Sequence, residues 1–143
     1  MMRTKKALRY DEQKIRDIEK AVSQFSQHLM SNSKWIRLIE AIIDNAHEFK
    51  KIQFKKIQNN RIGELYLNED SIFEFDYWQR GFEGNNSLGD WLEYKEIEYL
   101  IFPKIVDSNN IQNLEEIKLI IEKVGQFYLE INEDELKLIC YKE

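Results

Sequence analysis

The sequence predicts an α+β fold, with a single antiparallel sheet of about six strands packed by two to three helices in the order ααββββαββ. Two stretches near the N-terminus repeat apolar residues every three or four positions, which is typical of amphipathic helices. Several later stretches alternate apolar and polar residues, which is typical of strands with one buried face. Because these strands come in adjacent runs and the helices lie outside them, we expect an antiparallel sheet with helices on one face.

Length and composition predict one domain over residues 1–143, in a chain that is 43% hydrophobic and 33% charged. The basic N-terminus lacks the apolar segment of a secretory signal, and no apolar run approaches the roughly 20 residues of a membrane span. Cys140 is the single cysteine, so an internal disulfide is excluded and a reducing compartment is favoured. We therefore expect a cytoplasmic protein.

Two helices are predicted before the sheet. Residues 1–9 are interpreted as a mobile basic tail, and a helix over residues 11–30 follows, which could lie at the periphery of the domain. Ser33 is expected to cap the second helix, over residues 34–46, whose apolar face is broad enough to lie on a sheet. The first helix has a narrower stripe, which suits packing on the body or a homodimer seam, and which consists of Ile15, Ile18, Val22, Phe25 and Leu29.

Four strands are predicted before the last helix. Their bounds are Ile52–Ile57, Ile62–Leu67, Ile72–Trp78 and Tyr94–Phe102. The glycine- and asparagine-rich residues 81–89 are expected to form a loop between the last two of them. Alternation along these last two strands indicates core positions for Phe73, Phe75, Tyr77, Ile97 and Tyr99.

The C-terminal part is predicted to form a helix and a second hairpin. Asn113 is expected to cap the helix and Gly125 to end it. The hairpin joins strands at residues 127–131 and 136–141 through a turn at residues 132–134.

Charge is distributed unevenly along the chain. Residues 1–61 carry 14 Lys and Arg against 7 Asp and Glu, whereas residues 62–143 carry 7 against 19. Such asymmetry suggests an interaction surface. The alternative is that the two halves attract each other and that the charges are ordinary solvated faces.

Residue types that bind metals or act as nucleophiles are scarce. His28 and His47 form no metal-binding pair, and Cys140, which we interpret as a small buried hydrophobe, has no second cysteine beside it. The chain has no nucleophile elbow, phosphate loop or dinucleotide-binding motif. We therefore predict no enzyme, no metal and no cofactor, with carboxylate catalysis in a concave pocket or a bare Mg²⁺ site as the lesser alternatives.

Aromatic and acidic residues are densest between Ile72 and Pro103, and we interpret this segment as a partner-binding surface. Carboxylates two residues apart on a strand share a face and could form an acidic strip. Tryptophan and tyrosine among charges resemble a binding hot spot, although they could also only cover a sheet edge. The predicted binding residues are Glu74, Asp76, Trp78, Asp90, Trp91, Glu93, Tyr94, Glu96 and Glu98.

Direct binding of nucleic acid is disfavoured, because the acidic half of the chain would repel phosphate and no reader motif is present. One basic stretch would support it, with Lys50, Lys51, Lys55, Lys56 and Arg61. The acidic half of the chain instead favours binding of a basic protein, because its negative surface resembles that of a nucleic acid.

As a small, acidic α+β chain without a catalytic motif, the protein resembles the bacterial immunity proteins that neutralise the basic nuclease domains of contact-dependent and other polymorphic toxins. It is also similar to small bacterial proteins that begin with an N-x-K-W helix, here Asn32-Ser33-Lys34-Trp35, and carry a W-L-E strand, here Trp91-Leu92-Glu93. This likeness covers about Ser31–Glu143. It implies a class, an immunity protein that occludes a toxin active site, with a self-associating structural or regulatory module as the alternative.

Overall fold

The computed structural model of the chain describes residues 5–68, 80–89 and 91–143, apart from the side chains of residues 5–11 and Glu83. The predicted strand Ile72–Trp78 lies outside the described residues. The same holds for four of the predicted binding residues, which are Glu74, Asp76, Trp78 and Asp90.

The described residues form an α+β fold, as predicted. In chain order the elements are α1 (Lys5–Ser23), β1 (Gln27–His28), α2 (Asn32–Asp44), β2 (Ile52–Lys56), β3 (Ile62–Leu65), β4 (Gly81–Glu83), β5 (Trp91–Glu93), β6 (Ile97–Pro103), β7 (Ile105–Asp107), β8 (Asn110–Ile111), α3 (Leu114–Val124), β9 (Tyr128–Ile131), β10 (Glu135–Ile139) and β11 (Tyr141–Lys142). None of the described helices is both long and apolar enough to cross a membrane.

The main sheet has five antiparallel strands in the order β3-β2-β6-β10-β9. The predicted single six-stranded sheet and the order ααββββαββ are not confirmed. The described residues also form three separate two-stranded ladders, β1–β11, β4–β5 and β7–β8. Strands of two or three residues are too short to show a period of two, so the sequence pattern indicates turns and loops there instead.

Helices α2 and α3 contact each other and share one core with the inner face of the sheet. Their apolar residues recur at three- and four-residue steps, so each helix buries one stripe. Each large aliphatic side chain buried in this way contributes roughly 1.5–3 kcal/mol. The largest fully buried side chains of the helices and of the inner face include Leu38, Ile39, Ile42, Phe54, Leu100, Phe102 and Ile117.

Side-chain caps fix where these two helices begin. The Asn113 side chain accepts the Glu116 N–H at 3.1 Å, which confirms the predicted cap of α3. At α2 the cap is Ser31, whose Oγ accepts the Lys34 N–H at 3.1 Å. The prediction of Ser33 was wrong by two residues, since a Ser stands at both positions and either could cap a helix.

A register shift where β2 pairs with β6 marks a β-bulge. On β6 the extra residue is Glu98, so Ile97 and Tyr99, which a regular strand would place on one face, turn to different faces. Ile97 is fully buried, as predicted. The core position predicted for Tyr99 is wrong, because its ring is half-buried on the outer face, where Lys137 Nζ lies 4.7 Å from the ring centroid.

The N-terminal helix differs from the prediction at both ends. Among the described residues it extends back to Lys5, within the predicted tail, and it ends at Ser23, before the predicted end at residue 30. Beyond it, β1 pairs with β11, and the Leu29 N–H donates to the Cys140 carbonyl oxygen at 2.8 Å. The predicted dimer seam is therefore not supported, because its stripe is not one helical face and Ile18 is buried within its own chain.

Cys140 lies in the core, with 1% of its surface exposed, as predicted for a small hydrophobe. Burial, and secondarily the charge of Glu98, raises the pKa of the Cys140 thiol well above its ordinary value of 9.0. The folded state therefore disfavours the thiolate, which is the reactive form of the side chain.

The free energy of unfolding is expected to fall above pH 9, because there the unfolded chain releases the Cys140 proton and the folded chain retains it. Below pH 9 the thiol is protonated in both the folded and the unfolded state, so the contribution of Cys140 to the free energy of unfolding is at its full value. The contribution of Cys140 to the slope should approach about 1.4 kcal/mol per pH unit, and Cys140→Ala should remove that contribution. Urea unfolding between pH 8 and 10 measures the slope, and equal slopes in both proteins would contradict the assignment.

Candidate functional site

Five predicted binding residues lie among the described ones, on β5, the turn after it and the start of β6. They are Trp91, Glu93, Tyr94, Glu96 and Glu98. Strand β5 is paired with β4, where a Cβ on Gly81 would overlap the Leu92 carbonyl oxygen and lie 2.7 Å from the Glu93 Cα. Only glycine allows so close a ladder, so Gly81 helps to position the segment.

A single 3₁₀ turn, Tyr94–Glu96, connects β5 to β6 and directs two of these side chains inward. The Glu93 N–H donates to Glu96 Oε2 at 2.7 Å, and the Glu93 side chain accepts the Glu96 N–H in return. This reciprocal cap turns the Glu96 carboxylate back toward the protein.

Tyr94 is a core residue, with 1% of its surface exposed. Its ring stacks on Trp35, with centroids 5.3 Å apart and an angle of 13°, and meets the Phe82 ring edge-on. Burial raises the pKa of its phenol. Its burial does not fit the role of an apolar anchor for a partner, which the sequence predicted for Tyr94.

Glu96 is fully buried, which does not fit the prediction that it presents negative charge to a partner. Its Oε1 lies 3.4 Å from Lys56 Nζ and 3.6 Å from Lys14 Nζ. Gln58 Nε2 donates to the same oxygen at 2.9 Å. The carboxylate thus joins α1, the end of β2 and the turn before β6 in one network, which we call the Glu96 network.

Lysines also neutralise the other two described carboxylates of the strip. Glu98 Oε1 is 2.7 Å from Lys55 Nζ, and Glu93 Oε2 is 3.7 Å from Lys95 Nζ. The partners of Glu96 and Glu98 come from the basic half of the chain. For these residues the alternative interpretation of the charge asymmetry, attraction between the two halves, is confirmed.

A cleft of about 660 Å³ lies beside α1 and includes part of the Glu96 network. Trp91 is half-buried in its wall. Within the described part of the chain, Gln58 Oε1 is buried without a hydrogen-bond donor, because the amide is oriented by its bond to Glu96. Both oxygens of Glu96 are engaged by groups of this chain, so this carboxylate is not available to a substrate.

A second region, which the sequence interpretation missed, carries carboxylates that form no ion pair with a described residue. Residues 105–134 contain seven acidic residues and only two lysines. None of the seven carboxylates forms an ion pair with a described residue, and all but Glu116 are exposed. They are Asp107, Glu115, Glu116, Glu122, Glu130, Glu133 and Asp134.

The same residues also carry exposed apolar side chains. Of the eight large hydrophobic side chains that are exposed in the described ranges, five belong to this segment: Ile105, Ile111, Leu119, Tyr128 and Ile131. Ile105 and Ile111 are the most exposed, at 67% and 58%, and they face each other across the β7–β8 ladder. We call these exposed acidic and apolar side chains of residues 105–134 the C-terminal surface.

A groove of about 700 Å³ crosses the C-terminal surface between the β7–β8 ladder, the start of α3 and the turn after β9. Ile111, Leu114 and Ile131 line it, with Glu115 and Glu133 beside them. The groove is also bordered by three charged side chains from outside residues 105–134, which are Glu48, Lys50 and Lys104.

The buried amide of Gln112 fixes one wall of this groove. Its Oε1 accepts the N–H groups of Lys50 and Lys51 at 3.1 and 3.2 Å. Its Nε2 donates to the carbonyl oxygens of Lys51 and Pro103 at 2.9 and 2.6 Å. All four bonds run to backbone groups, so the amide holds the start of β2 and the end of β6 against the β7–β8 ladder.

No protein family, curated protein or solved structure matches the chain. The likeness to immunity proteins therefore stays a prediction. Among the described residues, no three His, Cys, Asp or Glu side chains come together as ligands of a metal ion.

Proposed function

We propose that this protein is a non-enzymatic binding protein of the cytoplasm that captures a basic protein partner, in the role of an immunity protein that occludes the active site of a nuclease-like bacterial toxin. The observation that supports this is the C-terminal surface, where Glu115 and Glu133, which have no described ion-pair partner, line a groove together with the exposed Ile111 and Ile131. The single buried cysteine, Cys140, agrees with a reducing compartment.

Charge and apolar area have separate tasks in such a complex. Carboxylates at the rim attract a basic partner and raise the association rate. Apolar side chains at the centre supply affinity when both surfaces lose water. The C-terminal surface offers both, since Ile111 and Ile131 are exposed beside Glu115 and Glu133.

The described part of the predicted acidic strip supports partner binding less well. A partner lysine or arginine would have to displace an existing lysine from Glu93, Glu96 or Glu98. Glu130 and Glu133 are exposed and have no such internal competitor among the described residues. The C-terminal surface is therefore better suited to bind the partner, and Trp91 lies half-buried outside it.

The test combines Glu115→Lys with Glu133→Lys and titrates the protein calorimetrically against the product of the gene immediately upstream. The double variant is expected to bind at least about tenfold more weakly, because two rim attractions become repulsions. The matched control is Glu19→Lys with Glu40→Lys, which makes the same change in net charge at exposed positions outside the C-terminal surface. This control should bind like the unchanged protein.

Two results would contradict the proposal. One is the absence of binding at micromolar concentrations when the neighbouring gene encodes a toxin-like domain. The other is an equal loss in the two double variants, which would mean that net charge alone determines binding.

A further inference from the structure

The two edges of the main sheet differ in how their backbone groups are satisfied. At the β3 edge, residues 85–87 of the same chain cover the strand. The Tyr66 N–H donates to the Asn85 carbonyl oxygen at 2.7 Å, and the Ser87 N–H donates to the Glu64 carbonyl oxygen at 2.9 Å. The Glu64 N–H in turn donates to Ser87 Oγ at 2.8 Å. This edge is therefore closed to another strand.

At the β9 edge the backbone of two residues points away from the sheet. Opposite pairs in an antiparallel ladder alternate between bonded and non-bonded. The Asn132 N–H donates to the Glu135 carbonyl oxygen at 3.0 Å, so the next bonded pairs are Glu130 with Lys137 and Tyr128 with Ile139. The N–H and C=O groups of Leu129 and Ile131 consequently face the open edge, and no described group hydrogen-bonds to them.

Strand β9 carries only part of the usual protection of an edge. Natural edge strands are short or carry charged side chains, above all lysine, or proline or a bulge, which prevent pairing with another chain. The sequence Tyr128-Leu129-Glu130-Ile131 is four residues long and contains neither lysine nor proline, and its register with β10 is regular. Its single charged residue is an exposed glutamate, and Ile131 lines the groove of the C-terminal surface.

We propose that an extended segment of the basic partner adds to β9 as a sixth strand of the main sheet. This inference rests on the proposed function and names how the partner is held. Leu129 and Ile131 each offer one donor and one acceptor to such a strand, and these backbone bonds supply affinity. Alternate side chains of the segment determine which segment binds. Apolar side chains would lie on the groove side beside Ile131, and lysine or arginine would lie on the outer side beside Glu130.

Charge favours a basic segment over a second copy of this chain. Two β9 strands related by a two-fold axis would bring the Glu130 side chains of both copies close together. Like charges opposite each other across a ladder destabilise the pair. A lysine or arginine at the same position removes that repulsion and adds attraction.

Hydrogen exchange of single amides tests the pairing directly. The probe is a short peptide of alternating lysine and valine, and the control is the same peptide with glutamate in place of lysine. In the free protein the amides of Leu129 and Ile131 should exchange quickly, whereas those of Glu130 and Tyr128 are already protected by β10. The lysine peptide should slow exchange at Leu129 and Ile131 at least about tenfold, and the glutamate peptide should not.

Three outcomes of this exchange experiment overturn the inference. The first is unchanged exchange at millimolar lysine peptide, and the second is equal protection by both peptides. The third is protection that grows with protein concentration and needs no peptide, because a second copy would then occupy the edge.

A proline variant separates backbone pairing from side-chain contact. Ile131→Pro removes an N–H that faces outward, so the ladder with β10 keeps its bonds, and Ile131→Ala is the control that retains the N–H. The proline variant should bind the lysine peptide at least about tenfold more weakly than the alanine variant, with similar circular dichroism. If Ile131→Pro still binds the upstream gene product fully while Glu115→Lys with Glu133→Lys does not, the proposed function stands and the edge inference falls.

Discussion

Replacing Glu96 with glutamine is expected to lower the free energy of unfolding by about 3 kcal/mol. The carboxylate is fully buried and receives Lys56, Lys14 and Gln58 on one oxygen. Without its charge, Lys56 loses its anionic partner while its side chain is only 11% exposed. Removing one partner of a buried ion pair leaves an uncompensated charge, which lowers the free energy of unfolding more than replacing both partners with apolar residues does. Lys14 is 28% exposed and can turn toward water, which limits the loss.

Glu98→Gln is the matched control for this prediction. It makes the same chemical change two residues later in a pair whose side chains retain more contact with water, at 17% and 22% exposure for Lys55 and Glu98. The expected loss is about 1 kcal/mol or less. Urea unfolding of both variants at neutral pH measures the difference. Equal losses would contradict the Glu96 network as a distinct buried element.

Trp35→Ala is expected to destabilise the protein by about 3–5 kcal/mol. The indole is 3% exposed and lies between α2 and the turn after β5, stacked on the Tyr94 ring. Alanine would remove both the apolar area and the stacking partner of a buried tyrosine. The cavity left behind borders Tyr94, which is held by its own turn and cannot move far to fill it.

Trp91→Ala is the corresponding control, since this tryptophan is half-buried in the wall of the cleft beside α1. The expected loss is about 1 kcal/mol. Thermal unfolding monitored by circular dichroism compares the two variants. A loss for Trp91→Ala as large as that for Trp35→Ala would show that the wall of the cleft is part of the core.

Local signals predict the elements that local forces determine. The period of apolar residues and the cap at Asn113 are sufficient for α3, and the turn after β9 is set by Asn132, whose Oδ1 accepts the N–H groups of Asp134 and Glu135. These contacts lie within a few residues of one another. The order of strands in the sheet depends instead on contacts between distant segments, which no local pattern contains.

The candidate site was harder to predict for the same reason. Glu96 and Glu98 are the same residue type on one predicted strand, yet a 3₁₀ turn and a bulge separate their environments. Their lysine partners are about 40 residues or more away in the chain. Ile105 and Ile111 lie in strands of three and two residues, which are too short to carry a periodic signal. Their exposure could therefore not be predicted from the sequence pattern.

The Glu96 network has a consequence for the order in which the chain is assembled. Lys14 Nζ bonds to the Trp91 carbonyl oxygen as well as to Glu96, and Trp91 follows Lys14 by 77 residues. During synthesis α1 therefore leaves the ribosome long before its binding surface exists. Most of the stability of an amphipathic helix in a protein comes from packing its apolar face against the rest of the fold. Helix α1 is made before the other described elements. It is nevertheless among the last of them to be secured, after the slower long-range pairing of strands has formed the site that receives it.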